Sequence, residues 1–281
     1  MHISFNPGRA EEIGLLLGRM GRELPYIFMR GDPQYRAVEE IYAQLGLREG
    51  LLYVVGVSLI SYMLSTRGEE HWGMAALHTA QGYPRGLLEF AEKSPSTALY
   101  RRAKLSRLKK YLSRAAPVLA RRLDGGTLRP GDIPLILAET LDARADSKTL
   151  VFAAKMAYYL YRAAGISVEP PRTPIPVDYR VSLVTLTSGI AATDEADLRR
   201  AAREIRSRYK EPVVDAWNRV SETASIPPAL LDNIVWLTGR CIDENLERPH
   251  RIPACLEARV PEAASYLDIL SELWSALGGL R

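Results

Sequence analysis

Apolar residues recur at helical spacing along most of this 281-residue chain, and prolines and glycines cut that spacing at short intervals. The pattern predicts many short helices joined by tight links. A helix is expected from Ala10 to Gly21. Asp32-Pro33 reads as a cap and first turn, opening a helix to about Leu45. Leu51 to Thr66 is a further, mostly buried helix, and Gly68-Glu69-Glu70-His71-Trp72 starts the next, its acids suited to a first turn. The chain then predicts a basic helix from Arg101 to near Pro117, and a pair over Pro134–Leu141 and Lys148–Gly165 joined by a short polar turn. Val168 to Pro176 is proline-rich and extended, and Asp178 follows as a cap. Val181 to Thr187 is β-branched enough to pass for a strand but is read as helix. Later helices are expected over Glu195–Lys210, Glu211–Ala224, Pro227–Arg240 and Pro261–Leu277. No set of strands and no repeat of fixed period is visible, so the fold class is all-α.

This length can bury one large core or two packed lobes. The longest apolar run, Leu51 to Leu64, is short for a membrane span and reads as a buried helix. Met1 to Phe5 leads into a proline, a glycine and charges, so no signal peptide is expected and a cytoplasmic protein is. Cys241 and Cys255 have no metal-ligand spacing and are too few for a four-cysteine cluster. Their pairing is left open.

Charge is uneven. Arg101 to Leu123 holds nine basic residues and no acidic one, whereas the chain's net charge is +4. The rest of the chain is therefore net acidic. Leu105, Leu108 and Leu112 share one helical stripe; Arg107, Lys110 and Arg114 share another. A solvated outer face explains this, and so does a surface that meets phosphates.

Lysine is the rare base here: seven of 37 Lys and Arg residues. Two of the seven, Lys148 and Lys155, lie in one apolar helical segment. An amine can lose its proton and attack carbon, which a guanidinium effectively cannot. With Asp146 or Ser147 as N-cap, Lys148 falls in the first turn, where backbone N–H groups disfavour an adjacent ammonium. Burial, if present, would add to that. A solvated lysine that happens to begin a helix is the plainer reading.

In Pro174-Ile175-Pro176-Val177-Asp178-Tyr179-Arg180, two prolines stiffen the backbone before an acid. Asp178 can be a simple cap. Paired with a lysine nucleophile, it can also offset the positive charge left on a sugar when a base departs.

Several strings resemble the archaeal 8-oxoguanine DNA glycosylases of the helix-hairpin-helix glycosylase superfamily. They are Asp32 to Val38, Leu59-Ile60-Ser61-Tyr62, Gly68 to Trp72, Lys148-Thr149-Leu150-Val151-Phe152, Pro174 to Val181, and Ile226-Pro227-Pro228 with Asp232, Trp236, Gly239 and Arg240. They fall between about residues 28 and 242, in the family's order. The resemblance implies a two-lobed helical fold with the damaged base held between the lobes. The helical glycosylase domain would span 28–244, after an N-terminal segment 1–27 and before a helical tail 245–281.

The implied activity is base excision repair: removal of 8-oxoguanine by base flipping, then cleavage of the abasic strand. Lys148 is implied as the Schiff-base lysine and Asp178 as the acid. Gln34, Ser61, Trp72, Phe152, Lys155, Asp232 and Trp236 are implied to bind the base. Trp72 and Trp236 offer flat faces, and Phe152 and Lys155 share a helix face with Lys148. Asp232 can accept from a guanine-like edge, and a Gln34 carbonyl from the N7–H that oxidation adds. Packing alone would also account for the aromatics, snorkelling for Lys155, and an outward position for Asp232. The superfamily hairpin normally carries glycines, and the link Asp142 to Ser147 has none. Phosphate contact is expected from Arg144 and the helix N-terminus there, and from Arg107, Lys110 and Arg114. No cofactor or metal is implied. The partner is duplex DNA containing 8-oxoguanine, with single strands also admitted, acted on by a monomer at the nucleoid without a membrane. The rival readings are a non-catalytic helical DNA-binding module and a same-fold glycosylase for another damaged base.

Overall fold

The computed structural model describes residues 1–21 and 23–278; Arg22 and the last three residues of the expected tail lie outside the described residues. In chain order the elements are β1 (Ile3–Phe5), α1 (Pro7–Gly18), α2 (Leu24–Gly31), α3 (Pro33–Ile60), α4 (Gly68–Leu77), α5 (Arg85–Lys93), α6 (Arg101–Lys110) and α7 (Ala116–Asp124). These are followed by α8 (Ile133–Leu141), α9 (Lys148–Ala163), α10 (Tyr179–Thr187), β2 (Ala191–Thr193), α11 (Leu198–Arg208), α12 (Lys210–Ala224), α13 (Pro228–Glu244), α14 (Ile252–Arg259) and α15 (Leu267–Leu270). The chain divides into two compact units, Pro33–Thr173 and a second made of Met1–Asp32 with Pro174–Arg281.

The unit Pro33–Thr173 is built on α3, which packs along α9 and also meets α4 and α6. The helix bends at Gly46, whose φ of 67° is a conformation that glycine adopts without steric cost. Every residue from Gly50 to Ile60 is buried, so this half of α3 forms the centre of its unit. Tyr111 and Tyr53 bury their hydroxyls by donating to Leu52 O and Ala75 O, both at 2.7 Å. The helix stops at Ile60, short of the expected Thr66. There the Ser61 amide turns to Ser58 O, and Met63 takes a φ of 44°. The basic helix does not stop near Pro117. A π-helical stretch, Tyr111–Ala115, widens the turn before α7, and the proline sits in the first turn of that helix. The wider turn relieves the clash that proline makes with a preceding carbonyl.

In the other unit α1 packs on α12, and α10 lies between α11 and α13. Gly239 lets α10 and α13 come close: a Cβ there would lie 3.0–3.2 Å from Val184 and Arg180 atoms. The strand-like run after Asp178 is helical, because the Asp178 side chain accepts from Val181 N and commits the turn. Two short strands were not expected. β1 and β2 pair antiparallel, Ile3 opposite Thr193 and Phe5 opposite Ala191. The expected final helix is broken into 3-10 turns around α15. Cys241 of α13 and Cys255 of α14 form a disulfide, their Cα atoms 5.6 Å apart, which closes the question left by their spacing.

Candidate active site

The hairpin of α8 and α9 forms as its sequence predicts. Asp142 ends α8 in the left-handed region at φ 54°, and Ser147 begins α9. Ser147 caps by backbone position only, with no side-chain bond to the helix. Lys148, the first helical residue, is exposed rather than buried. It stands at a helix end where the first backbone N–H groups have no partner within the helix.

The expected cationic residues are engaged around this link. Lys110 Nζ donates to Leu141 O at 2.7 Å and to Asp142 Oδ2 at 2.8 Å. Arg114 reaches the same carboxylate at 3.5 Å. Together they lower the Asp142 carboxyl from its ordinary value, the Lys110 hydrogen bond contributing most. Arg144 pairs with Asp146 through both carboxylate oxygens, at 3.0 and 2.8 Å. Arg107 donates to Thr149 Oγ1 at 2.9 Å and lies 5.8 Å from the Tyr62 ring centre. These cations brace the link and the start of α9.

Behind Lys148 on the same helix face stand Phe152 and Lys155, one and two turns on. Phe152 meets Trp72 edge to face, centroids 6.0 Å apart. Trp72 is only 1% exposed. Lys155 is 3% exposed, its ammonium 5.5 Å from the Tyr159 ring centre, which removes the snorkelling explanation. Tyr159 meets Tyr35 edge to face at 5.2 Å, and Gln34, next to Tyr35 in the first turn of α3, is buried.

Ser61 follows the end of α3. Its hydroxyl donates to Val57 O at 2.8 Å, and its oxygen lies 3.1 Å from His71 Nε2. His71, on α4 beside Trp72, is fully buried, and its Nδ1 lies 2.9 Å from Ser96 Oγ. Burial, aided by the positive charge of Lys104 and opposed by a backbone bond to Val57, pushes the imidazole down to about 3. The ring is neutral at ordinary pH. Lys104 donates to Met63 O at 3.2 Å, and burial with the nearby Arg101 pushes its amine down to about 8.

In the other unit, Asp178 has two tasks. Oδ1 accepts from Val181 N at 3.0 Å and caps α10, while Oδ2 accepts from Trp236 Nε1 at 3.2 Å. The Arg180 guanidinium lies 4.1 Å from the centre of the Trp236 ring. Close packing of α10 on α13 at Gly239 makes these contacts possible. Asp232, one turn before Trp236, is 2% exposed, so it does not point outward.

Two participants carried no sequence expectation. His71 lay inside the quoted Gly68–Trp72 string, and Arg180 inside Pro174–Val181. A histidine between a glutamate and a tryptophan at a helix start, and an arginine two residues after a capping acid, are weak signals. Only the fold supplies their partners.

Residues 14–271 match the AGOG family of N-glycosylase/DNA lyases. The chain is 34% identical over 221 residues to the N-glycosylase/DNA lyase of Aeropyrum pernix, covering 74% of this chain and 74% of that protein. It is 34% identical over 246 residues to the N-glycosylase/DNA lyase of Pyrobaculum aerophilum, covering 84% and 88%. Its structure is similar to a crystal structure of Pa-AGOG, the 8-oxoguanine DNA glycosylase of Pyrobaculum aerophilum, complexed with 8-oxoguanosine. The TM-score is 0.71 at 29% identity, over 98% of this chain and 99% of that one.

Proposed function

The chain belongs to the AGOG family of N-glycosylase/DNA lyases, and from that premise we propose that it removes 8-oxoguanine from DNA with Lys148 as nucleophile. One observation carries this reading: an exposed amine at the first residue of α9, in a chain whose relatives are glycosylases that also cleave DNA. The oxidised nucleotide leaves the stack at a cost of a few kcal/mol. The Lys148 amine forms a bond to C1′ through its nitrogen lone pair as the C1′–N9 bond breaks, the base leaving with the electron pair and taking up a proton. The Asp178 carboxylate offsets the positive charge that develops on the sugar. Loss of the amine proton and opening of the sugar ring give a Schiff base. Loss of a C2′ proton then expels the 3′ phosphate and cuts the strand.

Gln34, Ser61, Trp72, Phe152 and Lys155 are proposed to hold the base, as are Asp232 and Trp236. For Arg107, Lys110, Arg114 and Arg144 the proposed role is at the DNA backbone, where phosphates would compete with the carboxylates of Asp142 and Asp146. The protein would act as a monomer in the cytoplasm, on duplexes and on single strands.

Borohydride trapping tests the reading. Protein mixed with an 8-oxoguanine duplex should give a covalent adduct, and undamaged duplex should give none. The adduct should vanish in Lys148→Gln; one that persists there reassigns the nucleophile. Trapping on an abasic duplex but not on 8-oxoguanine would mean that another base is the substrate. No adduct on either DNA would leave a binding module.

A further inference from the structure

We infer that His71 is a positioning residue: its neutral ring, protonated at Nε2, holds Ser61 as a hydrogen-bond acceptor toward an N–H donor of the flipped base. This rests on the reading that Ser61 holds the base.

The direction of the hydrogen bonds follows from one unambiguous end. A serine hydroxyl has a single proton. The 2.8 Å bond from Ser61 to Val57 O needs that proton, because a carbonyl only accepts. This carbonyl is available because α3 ends here: the Ser61 amide has turned to Ser58 O. The 3.1 Å contact between Ser61 Oγ and His71 Nε2 must therefore carry its proton on the ring. A neutral imidazole protonated at Nε2 has a bare Nδ1. Ser96 stands 2.9 Å from it and donates. Ser96 in turn accepts from Ser94 Oγ at 2.8 Å. Each link points the same way, from Ser94 through Ser96 and His71 to Ser61 and the Val57 carbonyl.

The consequence lies at Ser61. Its proton is used inward, and one lone pair faces the histidine N–H, which Ser61 shares with the Val57 carbonyl. The remaining lone pair can only accept. Ser61 therefore suits an N–H on the base and opposes a bare ring nitrogen, since facing lone pairs are costly when water is excluded. 8-Oxoguanine offers N1–H, its amino group and N7–H; guanine offers the first two and has a lone pair at N7. The arrangement is rigid. Phe90 and Trp72 flank the imidazole at 5.0 and 6.4 Å between centroids, and Lys104 pins the next turn through Met63 O. His71 thus fixes Ser61 while touching Trp72.

The test combines a spectroscopic and a binding arm. On the full chain at pH 7, histidine ring 15N correlations should show His71 neutral with the proton on Nε2. A proton on Nδ1, or a charged ring, overturns the inference. In binding, Ser61→Ala and His71→Asn should each weaken 8-oxoguanosine roughly tenfold. In the Ser61→Ala background, His71→Asn should add no more than about twofold. A loss confined to 8-oxoguanosine places the donor at N7–H, and a loss shared with guanosine places it at N1–H or the amino group; either supports the inference. Additive penalties overturn it. Should His71→Asn fail to fold, Ser96→Ala takes its place, with a smaller loss that also disappears on Ser61→Ala. If Ser61→Ala binds both nucleosides as the wild type does, the inference falls. Borohydride trapping through Lys148 then shows separately whether the glycosylase reading survives.

Discussion

The starts of α9 and α10 carry the two groups proposed for the chemistry, and they are built in opposite ways. At α9 the cap is a serine by backbone geometry alone, and the lysine that follows is exposed. At α10 the proposed catalytic carboxylate is itself the cap, accepting from Val181 N and from the Trp236 indole. A nucleophile must reach its carbon and change its bonding, so an exposed position suits it. A carboxylate that only offsets charge gains from being immobile, because a preorganised charge needs no reorientation as the reaction proceeds. The contrast implies that function and stability come apart at Lys148 and are joined at Asp178.

Lys148→Gln is the strongest test of that separation. Strand cleavage on an 8-oxoguanine duplex should fall by at least about three orders of magnitude. Denaturant unfolding should move by no more than about 1 kcal/mol, the scale for replacing an exposed side chain with its solvent-screened contacts. A large stability loss would mean that the lysine holds the helix start in place.

At Asp178 the two effects should appear together and be separable by choice of residue. Asparagine and alanine should both lower single-turnover base release by about 100- to 1,000-fold, the scale for removing one preorganised electrostatic group. Asparagine caps nearly as well as aspartate, so its unfolding midpoint should stay close to that of the wild type. Alanine should cost about 1 kcal/mol more. Equal stability of the two variants would remove the structural half of the contrast.

The helix starts also mark how far the amino-acid pattern reached. Pro33, Gly68, Lys148 and Asp178 lie at helix boundaries that local chemistry specifies, and all four were legible there. The α10 helix was ambiguous by composition because β-branched residues suit strands; its cap decided the matter. What local pattern did not carry was long-range partnership. Nothing in the spacing of Asp178 and Trp236 shows that a glycine at 239 lets their helices approach. Likewise, Ser61, His71 and Ser96 lie ten and 25 residues apart, and only the packing of α4 against the end of α3 joins them. Exposure failed for the same reason: whether Lys148 is covered depends on neighbours distant in sequence. The pair β1–β2 is three residues per strand, too short for an alternation to register.

A pH series keeps folding apart from chemistry in a third way. His71 is held neutral, its value about 3 in the folded chain against an ordinary 6.5. Between those values the unfolded chain binds the extra proton, so stability is complete above pH 6.5 and declines as the pH falls. The decline from this group approaches about 1.4 kcal/mol per pH unit. Urea unfolding at pH 7, 6 and 5 should show it, and His71→Asn should be less steep over the same range. Matching slopes would mean that the buried ring is not what acid attacks.

The smallest expected effect tests the comparison most directly. Ser147 and Asp178 are both residue types that favour caps, and by type alone their removal should cost alike. By bonding they differ. Asp178 spends a carboxylate oxygen on Val181 N, whereas Ser147 Oγ is buried without a hydrogen-bond partner among the described residues. Replacing such a hydroxyl with a methyl group sacrifices no bond and removes a desolvated polar atom. Ser147→Ala should therefore shift the unfolding free energy by less than about 0.5 kcal/mol, with stabilisation the expected sign. It should leave adduct formation by Lys148 at the wild-type rate. A loss near 1 kcal/mol would show that Ser147 caps α9 by its side chain in solution. The two helix starts would then be built alike, and the exposed lysine alone would distinguish them.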